Sequence, residues 1–252
     1  MSNAGDADSE VKCEVTIRFP QVDPAGIVFY PRYFEMIQRC FPDVPFSQVP
    51  AGVKTQFLKP NRFGDRIVLA FDRGAEEQGW SVTGRMNDTT CFSLTPISAG
   101  DATASMWQSE SATFSTTVSA IDEWCVGKDG RLHLSRYFEF LNMAIEEWFE
   151  STLELPFAEL HVSRRIGIPT VQFDTRAYAL PEIGDKVSIR IQPRKIGGRA
   201  MTFMSWFVSN GRCLVENEQV VVFVTMQDNG FESIELPGYI RSAFQQQLDN
   251  VS

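Results

Sequence analysis

The run Gln21-Val22-Asp23-Pro24-Ala25-Gly26-Ile27-Val28-Phe29-Tyr30-Pro31-Arg32-Tyr33-Phe34 decides how the rest of the chain is parsed. Asp-Pro-x-Gly forms a turn: the Asp side chain bonds nearby backbone, Pro presets its own dihedral, and Gly tolerates the conformation that closes the loop. Before it, Val11 to Phe19 is rich in β-branched and aromatic residues and reads as a strand. After it, Phe34, Ile37 and Phe41 recur at helical spacing until Pro42 and Pro45 stop the helix.

The same order returns later in the chain. Arg32-Tyr33-Phe34-Glu35 is repeated as Arg136-Tyr137-Phe138-Glu139, and Gly64-Asp65 within Asn61 to Phe71 has an echo in Gly184-Asp185 within Pro181 to Ile191. The second helix is the clearest element. Phe138, Leu141, Ala144, Ile145, Trp148 and Phe149 form one broad apolar stripe that needs a sheet to lie on, and Glu139, Asn142, Glu146 and Glu150 are read as facing away. The first helix is followed by strand patterns at Gly52 to Lys59, Asp65 to Asp72, Trp80 to Met86 and Thr90 to Ser98. Thr113 to Glu123 opens the second copy, and its later strands are Thr170 to Leu180, Asp185 to Gln192, Ala200 to Ser209 and Cys213 to Gln227. Two tandem modules follow, residues 11–100 and 113–245. A small, polar connector over 99–112 joins them, and within it Ala104 to Ser109 could add a strand to either module.

Composition agrees with a folded α+β chain. Of 252 residues, 43% are hydrophobic and 12% aromatic, enough for a packed core and incompatible with intrinsic disorder. The net charge of -9 argues against a nucleic-acid partner, so any anionic ligand must meet a local basic cluster. Cys13, Cys40, Cys91, Cys125 and Cys213 are odd in number and widely spaced, which predicts reduced, buried thiols rather than a disulfide framework or a zinc site. Two histidines, His133 and His161, are too few for a multi-histidine metal centre, and His161 reads as a loop residue. No run is long and apolar enough for a membrane span, and the polar, acidic first ten residues are unlike a secretory signal. A soluble, cytoplasmic protein with no membrane association is the expectation.

Asp23-Pro24-Ala25-Gly26-Ile27-Val28, the aromatic pair Phe29-Tyr30 and the Pro31-x-Tyr33 that begins the helix resemble the signature of the 4-hydroxybenzoyl-CoA thioesterase family of hot-dog-fold proteins. In the second half, Ile168-Pro169-Thr170-Val171 and Val222-Phe223-Val224 extend the likeness. The resemblance implies two hot-dog modules, each an antiparallel sheet wrapped around one long helix, paired side by side as an intrachain pseudo-dimer. It also implies thioester hydrolysis at the interface of the pair. Asp23 would be the catalytic carboxylate, acting as nucleophile or general base. The backbone N–H of Tyr30 would polarise the carbonyl, with Gly26, Ile27, Val28 and Phe29 around the substrate. The substrate would be an acyl- or aryl-CoA, coenzyme A entering as part of it with no separate cofactor and no metal.

Elementary chemistry makes independent sense of these residue types. The start of a helix offers unsatisfied N–H groups and a positive dipole end to an oxyanion, and apolar neighbours keep the field strong. A thiolate leaves without needing strong protonation, so one carboxylate is enough.

The second copy departs from the motif. Gly127 stands where the first copy has Asp23, and Asp129 and His133 are out of register, so one working site per chain is expected unless these two serve a second activity. On the strand from Thr170, alternation puts Val171, Phe173, Thr175 and Ala177 on one face and Gln172, Asp174 and Arg176 on the other. The polar face lines either the cleft or the solvated outside. For CoA phosphates the cluster Arg194, Lys195 and Arg199 around Gly197-Gly198 is one candidate, an ordinary solvated hairpin being its alternative, and Arg164-Arg165 is another. Hydrolysis of acyl-carrier-protein thioesters and non-catalytic acyl-CoA binding remain open, as does further homo-oligomerisation. A dehydratase would need a motif histidine that the first copy lacks.

Overall fold

The computed structural model describes residues 10–74, 79–99, 114–118, 121, 126, 133–227 and 230–250. The first half supplies β1 (Glu10–Thr16), α1 (Pro31–Cys40), β2 (Ala51–Phe57), β3 (Arg66–Asp72), β4 (Ser81–Met86) and β5 (Thr89–Pro96). The second supplies β6 (Phe114–Val118), α2 (Leu134–Ser151), β7 (Ile166–Gly167), β8 (Thr170–Ala177), β9 (Val187–Ile196), β10 (Ala200–Ser209) and β11 (Arg212–Val222). The chain ends with β12 (Val224–Gln227), β13 (Gly230–Ser233) and α3 (Gly238–Asp249). Ten strands form one antiparallel sheet in the order β1-β3-β4-β5-β2-β8-β11-β10-β9-β6. That order is a palindrome: β6, β9, β10, β11 and β8 mirror β1, β3, β4, β5 and β2. The halves join where β2 pairs with β8, Gly52 opposite Arg176 and Gln56 opposite Gln172.

Both long helices lie on one face of this sheet and touch along an aromatic seam. Phe34 of α1 meets Phe138 of α2 at 4.4 Å between ring centroids, and Phe138 meets Phe173 of β8 at 4.6 Å. The stripe expected on the second helix is buried from Leu134 to Phe149. Burying each such side chain contributes roughly 1.5–3 kcal/mol, and truncating Phe138 to Ala at this junction is expected to cost about 3–5 kcal/mol. The repeated Arg-Tyr-Phe-Glu tetrapeptide falls on this contact as well, with Arg32 pairing with Glu139 across the halves at 2.7 Å.

Gly84 of β4 explains another part of the packing. A Cβ there would run into the ring of Phe92, so the glycine lets that buried ring lie flat across its strand and press on Tyr33 at 4.5 Å.

Several expectations are corrected. The strand read as Cys213 to Gln227 is two, because the chain turns at the buried Phe223, whose N–H donates to the Arg199 carbonyl at 3.0 Å. Its second part joins a three-stranded sheet, β13-β12-β7. Helix α3 was not foreseen; its Phe244 packs on Trp148 and Phe149 of α2 at 5.3 and 5.4 Å. Cys13 and Cys40 form a disulfide between β1 and the end of α1, whereas Cys91 and Cys213 are free and buried. A disulfide is rare in reducing compartments, so cysteine usage no longer supports a cytoplasmic location. No helix among the described residues is long and apolar enough to cross a membrane. The strand considered at Ala104 to Ser109 lies outside the described residues.

Candidate active site

Asp23, Pro24, Ala25 and Gly26 close a β-turn through the Gly26 N–H and the Asp23 carbonyl at 2.9 Å. The Asp23 N–H then donates to the Ile27 carbonyl at 2.8 Å, and Val22 bridges Val28, which makes a miniature hairpin. Gly26 takes φ 75°, the left-handed conformation this closure requires. The Ile27 N–H donates to Asp23 Oδ1 at 3.2 Å, fixing the carboxylate over its own loop. The loop is anchored from one side by the segment at Asn61: the Val28 N–H donates to the Asn61 carbonyl at 2.8 Å, and the Asn61 side chain accepts from the Tyr33 hydroxyl at 3.0 Å. Asn61 is fully buried, so the motif is positioned by a satisfied polar contact inside the core.

Helix α1 then starts with Pro31 at its first position, where a missing N–H costs nothing. Among the described residues, the N–H of Tyr30 just before it has no acceptor. The Tyr30 ring is wedged among Phe29, Phe57, Phe138 and Phe173, and its hydroxyl donates to the Phe138 carbonyl of α2 at 3.3 Å. Burial pushes that hydroxyl far above the usual tyrosine range, so it stays neutral.

These groups line a cleft of about 830 Å³ between the halves. Asp23, Ile27, Val28, Phe29 and Tyr30 form one wall and Phe57, Leu58 and Pro60 continue it. The facing wall comes from the second half: Asn142, Ile145, Glu146 and Phe149 of α2, the Ile168 to Val171 stretch, and Phe203 and Val221 from the sheet. Partial burial raises the Asp23 carboxyl above the ordinary aspartate value, against the opposing pull of the Ile27, Ala25 and Gly26 N–H groups.

Asn142 and Glu146 edge the cleft from the outward side of α2 on which helical spacing places them: Asn142 is half-buried and Glu146 is exposed. Asn142 donates to Glu146 Oε1 at 2.6 Å, and burial raises the Glu146 carboxyl against that bond. Helical spacing puts them beside the solvated glutamates, and the position of the neighbouring half makes that side the rim of a cleft. His161, taken for a loop residue, sits in a helical turn (Glu159–Ser163) and also lines the cleft, where burial lowers its pKa and favours the neutral ring.

Other expected residues stand elsewhere. Gly26 makes the turn without lining the cleft. Phe173 of β8 points to the helices, so Gln172, Asp174 and Arg176 take the opposite face of the sheet. There Gln172 donates to Asp174 at 3.1 Å, Asp174 faces Lys54 at 3.9 Å and Arg176 pairs with Glu216 at 3.4 Å. Arg194, Lys195 and Arg199 also lie away from the cleft. The Arg194 guanidinium sits 5.9 Å from the centre of the Trp206 ring, Lys195 is exposed, and Arg199 donates to the Ser233 carbonyl at 3.3 Å. Asp129 lies outside the described residues, and His133 directly precedes α2. Among the described residues no group of His, Cys, Asp and Glu side chains could hold a metal ion.

No family model and no curated protein matches the sequence. Solved structures match the architecture. A Lactobacillus plantarum protein assigned as an oleoyl thioesterase aligns over 88% of this chain and 99% of its own, with a TM-score of 0.63 at 10% identity. The fold is a double hot dog. The 12:0-ACP thioesterase of Umbellularia californica shares it at TM-score 0.62 and 9% identity, covering 85% of this chain and 94% of its own. A thioesterase-superfamily protein from Jannaschia sp. CCS1 covers 56% of this chain and 96% of its own, at TM-score 0.50 and 19% identity. Single-module proteins thus match about one half of this double hot dog.

Proposed function

We propose that the cleft hydrolyses acyl thioesters, with Asp23 as the reacting carboxylate and the Tyr30 N–H as the donor to the thioester carbonyl. The observation that carries this reading is one juxtaposition: a half-buried carboxylate, held by its own loop, and an N–H at a helix start without an acceptor among the described residues, at the same largely apolar cleft. The hot-dog thioesterases that share the fold support it.

Chemistry follows from the geometry. A thioester carbonyl at the start of α1 gains a fixed donor and the dipole of the helix, and both act more strongly on the oxyanion of the tetrahedral intermediate than on the ground state. Asp23 either removes a proton from water, whose oxygen attacks the carbonyl carbon, or attacks directly to give a mixed anhydride that water then opens. In both routes the carbon–sulfur bond breaks and the thiolate departs as its own leaving group. The aromatic lining accommodates the acyl or aryl part, and the working unit is the intrachain pair of halves. No cofactor takes part; coenzyme A, or the pantetheine arm of an acyl carrier protein, enters with the substrate.

A thiol-release assay across acyl-CoA chain lengths, aryl-CoAs and acyl-carrier-protein thioesters tests the proposal. Turnover well above the uncatalysed rate on at least one class is expected. Tight binding of acyl thioesters with no thiol release would make the protein a binding module instead.

A further inference from the structure

The mouth of the cleft is apolar on its outside. Among the described residues six large apolar side chains are at least 60% exposed, and four of them are Phe19 (78%), Leu58 (60%), Phe63 (61%) and Val162 (79%). One such residue is ordinary; a group around one opening marks a contact surface. Leu58 and Val162 line the cleft from opposite halves, and so does Pro20, the neighbour of Phe19. Phe63 follows Arg62, which lines the adjoining hollow together with Val162. Two backbone bonds tie the segments of Phe19 and Phe63 together: the Ile17 N–H donates to the Asp65 carbonyl at 2.9 Å, and the Gly64 N–H to the Ile17 carbonyl at 3.1 Å.

Local structure explains why these side chains protrude. Phe19 opens a short helical turn (Phe19–Gln21), and Phe63 sits in a turn closed by the Asp65 N–H on the Arg62 carbonyl at 3.1 Å, with Gly64 at φ 87°. Leu58 comes just after β2, and Val162 belongs to the helical turn Glu159–Ser163. All four lie on connections, outside the inner face of the sheet and the stripes of α1 and α2 that build the core.

Charge at the same place has the opposite sign to the chain as a whole, whose net charge is -9. Residues 17–20 and 58–66 carry Arg18, Lys59, Arg62 and Arg66 against the single carboxylate of Asp65, which accepts the Arg62 N–H at 2.8 Å. All four cations are exposed, and none pairs with a carboxylate among the described residues. A protein partner would need a matching hollow for each prominence. A lipid surface takes up protruding apolar side chains without such matching, and anionic headgroups attract the cations between them.

We propose that the mouth of the cleft docks on an anionic lipid surface, with Phe19, Leu58, Phe63 and Val162 entering the interface and Arg18, Lys59, Arg62 and Arg66 facing the headgroups. The purpose of this docking rests on the thioester reading. A thioester whose acyl chain is held in the bilayer passes into the cleft, and the acid returns, without the chain crossing water. The acidic remainder of the chain is repelled by the same surface, so the mouth is the part that faces it. Contact of this kind needs no spanning helix.

The test sediments the full chain with vesicles of phosphatidylcholine alone and of phosphatidylcholine mixed with phosphatidylglycerol, at low and at physiological salt. The wild type should bind the mixed vesicles about tenfold more tightly than the neutral ones, with the preference shrinking as salt rises. Phe19→Ser with Phe63→Ser, neither of which lines the cleft, should weaken binding by about tenfold and leave Tm and thiol release from a short-chain, water-soluble thioester unchanged. Arg18→Gln with Arg66→Gln should remove most of the preference for anionic vesicles. No binding by the wild type, no anionic preference, or undiminished binding by the phenylalanine variant overturns the proposal. Sedimentation velocity without lipid tests the other occupant: a wild type that self-associates, and a phenylalanine variant that does not, would mean that a second copy covers the mouth, and the proposal falls. Vesicle binding needs no turnover, so a missing thiol release would overturn the thioester reading alone and a missing vesicle binding the docking alone.

Discussion

The two halves have the same strand order and opposite equipment. The first carries the Asp-Pro-Ala-Gly loop on a helix of 10 residues, and the second has lost the motif aspartate but carries a helix of 18. With Arg32 aligned to Arg136, Glu146 of α2 corresponds to Pro42, beyond the end of α1 at Cys40. The cleft that contains Asp23 is therefore walled by the long helix. A matching cleft in the other half would face a helix that stops before it could supply Glu146 or Phe149. One half thus carries the motif carboxylate and the other the longer wall of the cleft.

The strongest way to break this comparison is at Asp23. Asp23→Asn should leave the fold intact and lower kcat by about 10²- to 10⁴-fold, measured by thiol release. A well-folded variant with near wild-type turnover would remove the motif from the chemistry. The same substitution has a second readout with the opposite sign. Burial raises the folded-state pKa of Asp23, so its contribution to stability is fully present below the unfolded aspartate value, near 4, and is lost as pH rises through the folded value. At neutral pH the buried charge is a liability. The Asn variant should melt higher, by about 2–4 °C for each kcal/mol relieved. Loss of activity with a gain in Tm marks a functional carboxylate; loss of both marks a structural one. For the wild type, activity should disappear on acidification at a higher pH than an ordinary aspartate would give.

A smaller effect is expected across the cleft. Glu146→Gln keeps the shape and a hydrogen-bonding partner for Asn142, so kcat should fall by no more than about tenfold and the acidic limb of the pH profile should stay in place. A loss as deep as that of Asp23→Asn, with displacement of the limb, would transfer the reacting carboxylate to α2 and reverse the roles of the halves.

How much of this was legible in the sequence follows from range. The motif turn and the helix stripe depend on neighbours within a few residues, and each stands where spacing placed it; the repeat shows in the comparison of two segments and needs no knowledge of their contacts. Asn142 and Glu146 lie on the polar side of α2 that spacing indicates, but that a cleft opens along that side depends on where the other half packs, which spacing does not report. Gln172, Asp174 and Arg176 were correctly separated from Phe173 by alternation, but alternation does not say which face holds the cleft. Arg62 carried no signal of its own. Its position comes from a bridge to Ile27, a contact between segments far apart in the chain. The disulfide is of the same kind, joining Cys13 to Cys40 only once β1 and α1 have packed.

The smallest predicted effect concerns the repeat itself. Copies of Arg-Tyr-Phe-Glu put four charges at the contact of α1 and α2, yet the copies are not equivalent. Glu35 pairs with Arg32 at 3.1 Å and its side chain is 50% exposed, whereas the side chain of Glu139 is only 15% exposed and pairs with both Arg32 and Arg136. Removing Glu139 leaves two guanidiniums without that partner, while removing Arg32 leaves Glu139 still paired. Glu139→Ala should therefore destabilise more than Arg32→Ala in urea melts. The coupling energy from the double-mutant cycle should be about 0.5–1 kcal/mol, the range of a partly exposed ion pair. A coupling of zero with equal single-mutant effects would mean that α1 and α2 are held together by the Phe34 and Phe138 contact, beside the β2–β8 pairing of the sheet, with no contribution from the charged part of the repeat. A larger loss at Glu139 would show that the second half supplies the anchor of the interface as well as a wall of the cleft.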